Sequence, residues 1–488
     1  MFNSIMSSMD SSEKKAYDDA IKRLEELWKT VNKNSDLFTS KKITLETYSK
    51  SFDPNTNDGL NVDDFIEFLH FRNNHHWTLM DMQTKNLTLD KESLKNALVT
   101  LLDETKSIQD RIDRLPKVKG LGEGIFSPFL LVASNQKYGV LNLKSRKFLS
   151  KYHIMPNERS KKPGLIFKEV NDLLLRLSND TGMDLWTLDG LFHYDMFLPK
   201  VKDEKNRREK IWSGIKLDSN NEVPTSELVT LELSGGNRGI YAPVLRGLGE
   251  RIALSIKVTE TRYDDVIEDD VMTYKFPGTN QPQQDENDIE GMINAMHYQV
   301  PIFVIKGNKS KGPFRELKIG LVREFDNESK WFLIDLFDHI PGGENLHYNS
   351  EDSDEGNFKL YEKKSEEKEV KTKARPNQIR FRFNVIKRYG AKCSVCGLNL
   401  EPTLEAAHII PKSKKGSDQS PNGLVMCANH HKMFDSHMFS IDNSLNIVYR
   451  NGYSKDKLLI TVDNLEHLAK KPNVDAIDVR LELFKRSK

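Results

Sequence analysis

Through the first two hundred residues, apolar positions recur every three to four residues, the period of a helix that buries one face. In SSEKKAYDDAIKRLEELWKTV, Ala20, Ile21, Leu24, Leu27 and Trp28 share such a face, with Ser11 or Ser12 placed to cap it. The segment ESLKNALVTLLDETKSIQDRIDRL repeats the pattern and stops at Pro116. FKEVNDLLLRLSNDTGMDLWTLDGLFHY reads as one helix ending near Gly182 and a second containing Trp186 and Leu191. Near Trp212 the pattern changes. LVTLEL, RIALSIKVTE, DVMTYKF, VPIFVIK, ELKIGLV and KWFLIDLF are short β-branched runs parted by turn residues, which predicts an antiparallel sheet or small barrel.

These shifts divide the chain into a helical domain over 1–115, a helical module over 116–205 and a β-rich domain over 206–345. A charge-rich stretch without periodicity over 346–374 then reads as a linker to a C-terminal domain over 375–488. The fold class is multidomain α+β. Two turns in the helical half invite sharper readings. SFDPNTNDGLNVDDF fails as a calcium loop, because counting from Asp53 the turn glycine falls at Gly59, one position late. An Asp- and Asn-rich turn is the reading that remains. Gly120, Gly122 and Gly124 enter an apolar helix, as in a helix-hairpin-helix whose N–H groups contact DNA phosphates, or as a helical packing turn. The adjacent His75, His76 and Trp77 lack a partner spacing for a metal and read as surface or core.

A length of 488 residues allows several domains with separate cores, and 30% charged residues with a mean hydropathy of −0.60 describe a soluble protein. No run of eighteen apolar residues marks a membrane span, and the first residues lack the apolar core of a secretory signal. The net charge of +1 hides an asymmetry. From residue 371 onward Lys and Arg outnumber Asp and Glu roughly two to one. Arg375, Arg380, Arg382, Lys387 and Arg388 form a basic cluster suited to DNA phosphates, a solvated helix face being the alternative.

All three cysteines lie between 393 and 427, which leaves no disulfide framework and fits a cytoplasmic protein. Cys393 and Cys396 form a C-x-x-C pair closed by Gly397, and Cys427 and His430 form a C-x-x-H pair about thirty residues on. Two such pairs suit a closed tetrahedral zinc site that stabilises the fold. The alternative is two reduced cysteines packed as small hydrophobes beside an exposed His430. Between and after the pairs stand His408 at a strand end, Asn422 opening a loop, and His431 four residues before Asp435 on one helix face.

This combination resembles the HNH nucleases of the zinc-stapled ββα-metal type, with the motif residues on His408, Asn422 and His431. The resemblance covers about residues 375–450. It implies that His408 is a general base, that Asn422 fixes the loop which aims it, and that His431 holds a catalytic Mg²⁺ or Mn²⁺ with Asp435. One position departs from many members: Ala407 stands immediately before the base, where they carry an Asp or His ligand.

Within the β-rich domain, Arg238 and Gly239 precede Tyr263-Asp264-Asp265, and Tyr274 follows about ten residues later. The order resembles the SRA fold that reads modified cytosine, without the paired glycines of that family, since Glu260-Thr261-Arg262 stand there. The resemblance implies stacking of a flipped base on Tyr263 and Tyr274, a carboxylate acceptor in Asp265, and strand contact by Arg238. Taken together the chain resembles the McrA-like group of modification-dependent restriction endonucleases. That implies double-stranded modified DNA as partner, 5-methyl- or 5-hydroxymethylcytosine as the mark, and a homodimer for double-strand cutting. Two other readings stay open: an HNH nickase or mobile-element nuclease acting on unmodified DNA, and a non-catalytic zinc-dependent DNA-binding protein.

Overall fold

A computed structural model of the chain describes residues 10–31, 36–53, 60–218, 221–234, 238–245, 250–259, 266–268, 270–307, 314–341, 358–361 and 377–487. The chain divides into two compact units, one taking 1–210, 242–252 and 279–300, the other 211–241, 253–278 and 301–488. The segment 206–345 contributes to both. Among the described residues, no helix is long and apolar enough to cross a membrane.

The first unit is helical. Helix α1 (Ser11–Thr30) buries Tyr17, Ala20, Leu24 and Leu27, while Ile21 and Trp28 lie half-buried at the edge of that face. Its cap is Asp10 rather than either serine. Asp10 Oδ1 accepts from the N–H groups of Ser12 and Glu13 at 2.7 and 2.8 Å, and the Asp10 N–H donates back to Glu13. The segment expected as one helix up to Pro116 is two, Lys91–Leu102 and Ile108–Asp113. Asp103 breaks it by accepting from the hydroxyl and N–H of Thr105, and Ser107 caps the restart. Helix α2 (Glu123–Ala133) follows the glycine-rich turn. Pro163–Thr181 ends where predicted, at Gly182 with φ +67°, and a 30-residue helix over Leu185–Gly214 comes next.

These helices share a core that includes Phe52, Phe65, Phe129 and Trp186. His76 and Trp77 belong to it. Asp189 Oδ2 accepts from the Trp77 indole at 2.8 Å and stands 3.2 Å from His76 Nε2. Of the calcium-loop-like stretch, Gly59 lies outside the described residues.

The second unit begins with an eight-stranded sheet. Its strands are β1 (Glu222–Pro224), β2 (Ile240–Tyr241), β3 (Ser255–Thr259), β4 (Val266–Glu268), β5 (Val271–Lys275), β6 (Ile302–Gly307), β7 (Phe314–Asp326) and β8 (Trp331–Phe337). They run in the order β2-β3-β6-β7-β8-β5-β4, with β1 added on β7. Two expectations need correction. LVTLEL is not a strand: Thr225–Thr230 is helical, with Leu228 and Leu233 buried and Val229 exposed, a spacing no alternating strand produces. The sheet is not wholly antiparallel, since β3 and β6 pair parallel. The connection from β3 to β6 passes through a helix over Pro282–His297, long enough for the crossover that parallel pairing requires.

The sheet also curls. Tyr274 on β5 reaches the Lys257 carbonyl on β3 at 3.4 Å, although three strands separate them in the sheet order. Against Val271, Trp331 and Leu333 pack Ile379 and Phe383 of helix α3 (Asn377–Tyr389). After α3 come the antiparallel pair β9 (Leu404–His408) and β10 (Gly423–Cys427), then helix α4 (Ala428–Asp435). A hairpin of β11 (Phe439–Ile441) and β12 (Ile447–Tyr449) and helix α5 (Val474–Arg486) complete a core centred on Leu424, Val425, Met426 and Phe434.

Candidate active site and metal centre

Two short strands and one helix bring both chemical groups of the C-terminal domain together. Cys393 and Cys396 lie on a turn between α3 and β9, Cys427 ends β10, and His430 lies in the first turn of α4. One ligand atom from each of the four falls within 4.8 Å of all the others, and three of the residues are buried. Cys427 Sγ stands 3.0 Å and Cys393 Sγ 3.9 Å from His430 Nδ1. The other ring nitrogen, Nε2, is 2.9 Å from the Leu458 carbonyl and can only donate to it, so Nδ1 keeps its lone pair toward the thiols. Burial opposes ionisation of Cys393, but His430 and three backbone N–H groups bring its thiol down to about 6. Burial lifts Cys396 to about 12. Three sulfurs and one imidazole nitrogen gathered this closely fit a soft or borderline cation held in a closed site.

The pairing of β9 with β10 sets His408 opposite Gly423. His408 Nε2 is 2.8 Å from Asp418 Oδ1, and Lys412 pairs with the second Asp418 oxygen. Burial works against the Asp418 charge, but His408 and Lys412 hold its carboxyl below the usual range. Phe381 of α3 stacks on the imidazole, ring centroids 3.8 Å apart. Gly423 makes this possible: a Cβ there would stand 2.3 Å from Val385 Cγ2 and 2.9 Å from Phe381 Cζ.

Asn422 is completely buried and braces the loop after His408. Its Oδ1 accepts from the Ile410 N–H at 2.9 Å, and its Nδ2 donates to the Ser417 and Ile410 carbonyls at 2.8 and 3.2 Å. Gly416 closes the same loop, where a Cβ would lie 1.9 Å from the Ile410 oxygen. Residues 358–361 of the expected linker lie against it, with the Lys359 N–H donating to Gln419 and the Leu360 carbonyl accepting from Ser417.

His431 projects from α4 into partial exposure. Its Nδ1 is 2.6 Å from Glu405 Oε2, and its Nε2 is 3.4 Å from Asp435 Oδ2. Asp435 is thus near His431 as the spacing of four predicts. Ala407 is wholly buried, where a carboxylate would cost desolvation, and Glu405 is the carboxylate of β9 that meets His431. Because the two carboxylates meet opposite edges of one ring, they do not gather as the cysteines do. Among the described residues, the Cys393, Cys396, Cys427 and His430 set is the one such metal-ligand group of three or more.

Three residues around His408 and His431 escaped the sequence reading. Glu405 lies three positions before His408, a signal present in the chain, whereas Asp418 and Phe381 reach His408 only through the loop and through packing. The basic cluster on α3 is engaged within the protein. Arg380 pairs with Asp335, Lys387 with Glu324, Arg382 donates to the Leu404 carbonyl, and Arg388 to that of Lys471. Arg375 lies outside the described residues. Of the four residues expected to read a base, Tyr263 and Asp265 lie outside them too. Arg238 is exposed, and Tyr274 is buried with its hydroxyl where a Cβ on Gly239 would lie 2.8 Å away.

Residues 393–442 match the family model described as HNH endonuclease. No curated protein matches the chain. Among solved structures, a modification-dependent restriction endonuclease, TagI, is similar at 18% identity over 55% of this chain and 93% of its own, with a TM-score of 0.25. The SRA domain of SUVH5 in complex with fully methylated CG DNA is similar at 26% identity, over 26% of this chain and 91% of its own, with a TM-score of 0.20. The same domain with methylated CHH DNA gives 27% identity, the same coverage and a TM-score of 0.20. The strand–strand–helix geometry of β9, β10 and α4 falls within the segment that matches the HNH endonuclease model, and the likeness to that family is to this segment.

Proposed function

We propose that the protein is a metal-dependent DNA endonuclease that cuts DNA carrying a modified cytosine. The observation that carries the cutting is the Asn422-braced loop, which holds His408 against Asp418 within a domain of HNH family. With Nε2–H donated to Asp418, His408 keeps the lone pair on Nδ1 to take a proton from the attacking water. Phe381 restricts the ring to one plane. With Nδ1–H donated to Glu405, His431 directs Nε2 toward Asp435, and these two would hold a hard divalent cation, Mg²⁺ or Mn²⁺. Such an ion, when bound, would supply charge stabilisation for the phosphate and the leaving oxygen. The Cys₃His set would hold zinc and secure the domain. Exposed Lys414, Lys415 and Lys432 flank the site and suit phosphate contact.

Recognition of the mark falls to the curled sheet, where Arg238-Gly239, Lys257 and Tyr274 converge, with Tyr263 and Asp265 completing the reader. Supercoiled plasmid that is unmodified, 5-methylated or 5-hydroxymethylated, incubated with Mg²⁺, Mn²⁺ or EDTA, tests both halves. We expect metal-dependent cutting of a modified substrate in preference to the unmodified one. Equal cutting of all three defeats the reading of the mark, and no cutting with any metal defeats the nuclease. Linear rather than nicked product would show that both strands are cut.

A further inference from the structure

The helical unit contains an open cavity of about 660 Å³ that the nuclease chemistry leaves unused. The volume lies in the range of small-molecule sites. On one side the glycine-rich turn lines it. Gly122 starts α2 with no side-chain cap, and no atom comes within 3.9 Å of a Cβ built on Gly122 or Gly124. The bare N–H groups of a first helical turn favour an anion. Glu123 in that turn does not repel one unopposed, because Arg146 grips both its oxygens at 2.6 and 2.8 Å.

Trp77, Met80, Leu121 and Ile125 supply an apolar wall. Deeper lies a carboxylate. Glu250 lines the cavity although it is 1% exposed, and Lys144 Nζ donates to its Oε1 at 3.0 Å. Lys144 also donates to Thr78 Oγ1 at 3.1 Å, which fixes the ammonium in place. Glu250 Oε2 faces His193 Nε2 at 3.5 Å, too long for a full hydrogen bond, and has no closer donor among the described residues. A buried carboxylate oxygen whose one donor stands at long range is incompletely satisfied, so a closer donor arriving with a ligand would stabilise it.

We propose that this cavity binds a nucleotide, with its phosphate on the open turn of α2, its base on the apolar wall and a base amino group donating to Glu250. An anion site, an apolar wall and a buried acceptor in one cavity match the three parts of such a ligand. The nucleotide comes either free from solution or extruded from a DNA strand. This site is separate from the nuclease chemistry and would stand if the C-terminal domain proved inactive.

The test uses the full chain. Binding of dCMP, dAMP, dGMP and dTMP is measured by calorimetry, and a duplex with one unpaired 2-aminopurine reports extrusion by its emission. The three monophosphates with an exocyclic amine should bind at least tenfold more tightly than dTMP, or the duplex probe should brighten on binding. Gly122→Phe, whose ring enters open space, should abolish whichever signal is present while thermal unfolding stays as in the parent. Glu250→Gln should remove the preference over dTMP. Loss of monophosphate binding alone supports a free nucleotide, and loss of probe emission supports one drawn from DNA. Absence of both signals, equal binding of dTMP, or a folded Gly122→Phe that binds unchanged overturns the proposal.

Discussion

Phe381 lies flat against His408, with ring planes 14° apart and centroids 3.8 Å apart, so the helix that packs on the sheet also positions this imidazole. The contact predicts two graded effects on cleavage. His408→Ala should lower the rate by roughly 10²- to 10⁴-fold, the contribution expected of a general base. Phe381→Leu keeps the core filled but removes the flat support, and should lower kcat by about tenfold with KM little changed. Single-turnover cleavage of a fixed duplex distinguishes the two. An unchanged rate in His408→Ala removes it from the mechanism.

Gly423→Ala tests how that contact is built. Its Cβ would meet Val385 at 2.3 Å and Phe381 at 2.9 Å, so α3 must withdraw or Phe381 must turn. Overpacking of this kind costs about 1–3 kcal/mol. Activity should fall further than stability, because the displaced ring is the one beneath His408. Parallel measurement of urea unfolding and cleavage checks the comparison, and loss of stability with full activity would refute the positioning.

The Cys₃His set should be a folding site. Zinc content measured by plasma mass spectrometry should be one per chain, and Cys427→Ala should lose it together with the cooperative melt of the C-terminal domain. Structural zinc in small domains contributes on the order of 10 kcal/mol, more than this core could lose and remain folded. Asp435→Ala should instead keep the zinc and the melt while raising the Mg²⁺ needed for cleavage by roughly tenfold.

What was legible in the chain was the part written in spacing. Cys393, Cys396, Cys427 and His430 announce themselves because short-range pairs need no tertiary knowledge, and the helical period of Ala20, Leu24 and Leu27 does the same. Asp418 and Phe381 were hidden because each reaches His408 through a loop or a neighbouring helix. Leu228 and Leu233 misled for another reason: β-branched and leucine-rich runs of six residues satisfy a strand and a short helix equally. The parallel pairing of β3 with β6 depends on a crossover that no local pattern encodes.

Asp335 connects the sheet to the C-terminal domain. Arg323 on β7 donates to it at 2.7 Å, and Arg380 of α3 takes its other oxygen. Asp335→Ala leaves two partly or fully buried guanidinium groups facing each other, a change that costs about 3–5 kcal/mol. Asp335→Asn retains one acceptor and should cost less. If α3 fixes the nuclease on the sheet, the Asn variant should cut at a wider spread of distances from the mark, read by sequencing the cut ends. An unchanged spread would show that Asp335 contributes stability alone.

Glu250 gives the helical unit an acid limb. Burial pushes its carboxyl up, but Lys144 and His193 outweigh this and bring it to about 2, below the 4.5 of a free glutamate. A group lowered on folding contributes stability above its unfolded pKa and loses that contribution as pH falls through the folded value. The contribution of Glu250 is therefore complete at neutral pH, declines below about 4.5 and is gone near 2. Glu250→Gln should be less stable than the parent at pH 7 by roughly 1–3 kcal/mol, since Lys144 loses its counter-charge. That gap should close as the solution is acidified through the same window. Urea unfolding of parent and variant at matched pH values measures the difference directly, and a gap that stays constant from neutral pH to acid would assign the proton to another carboxylate.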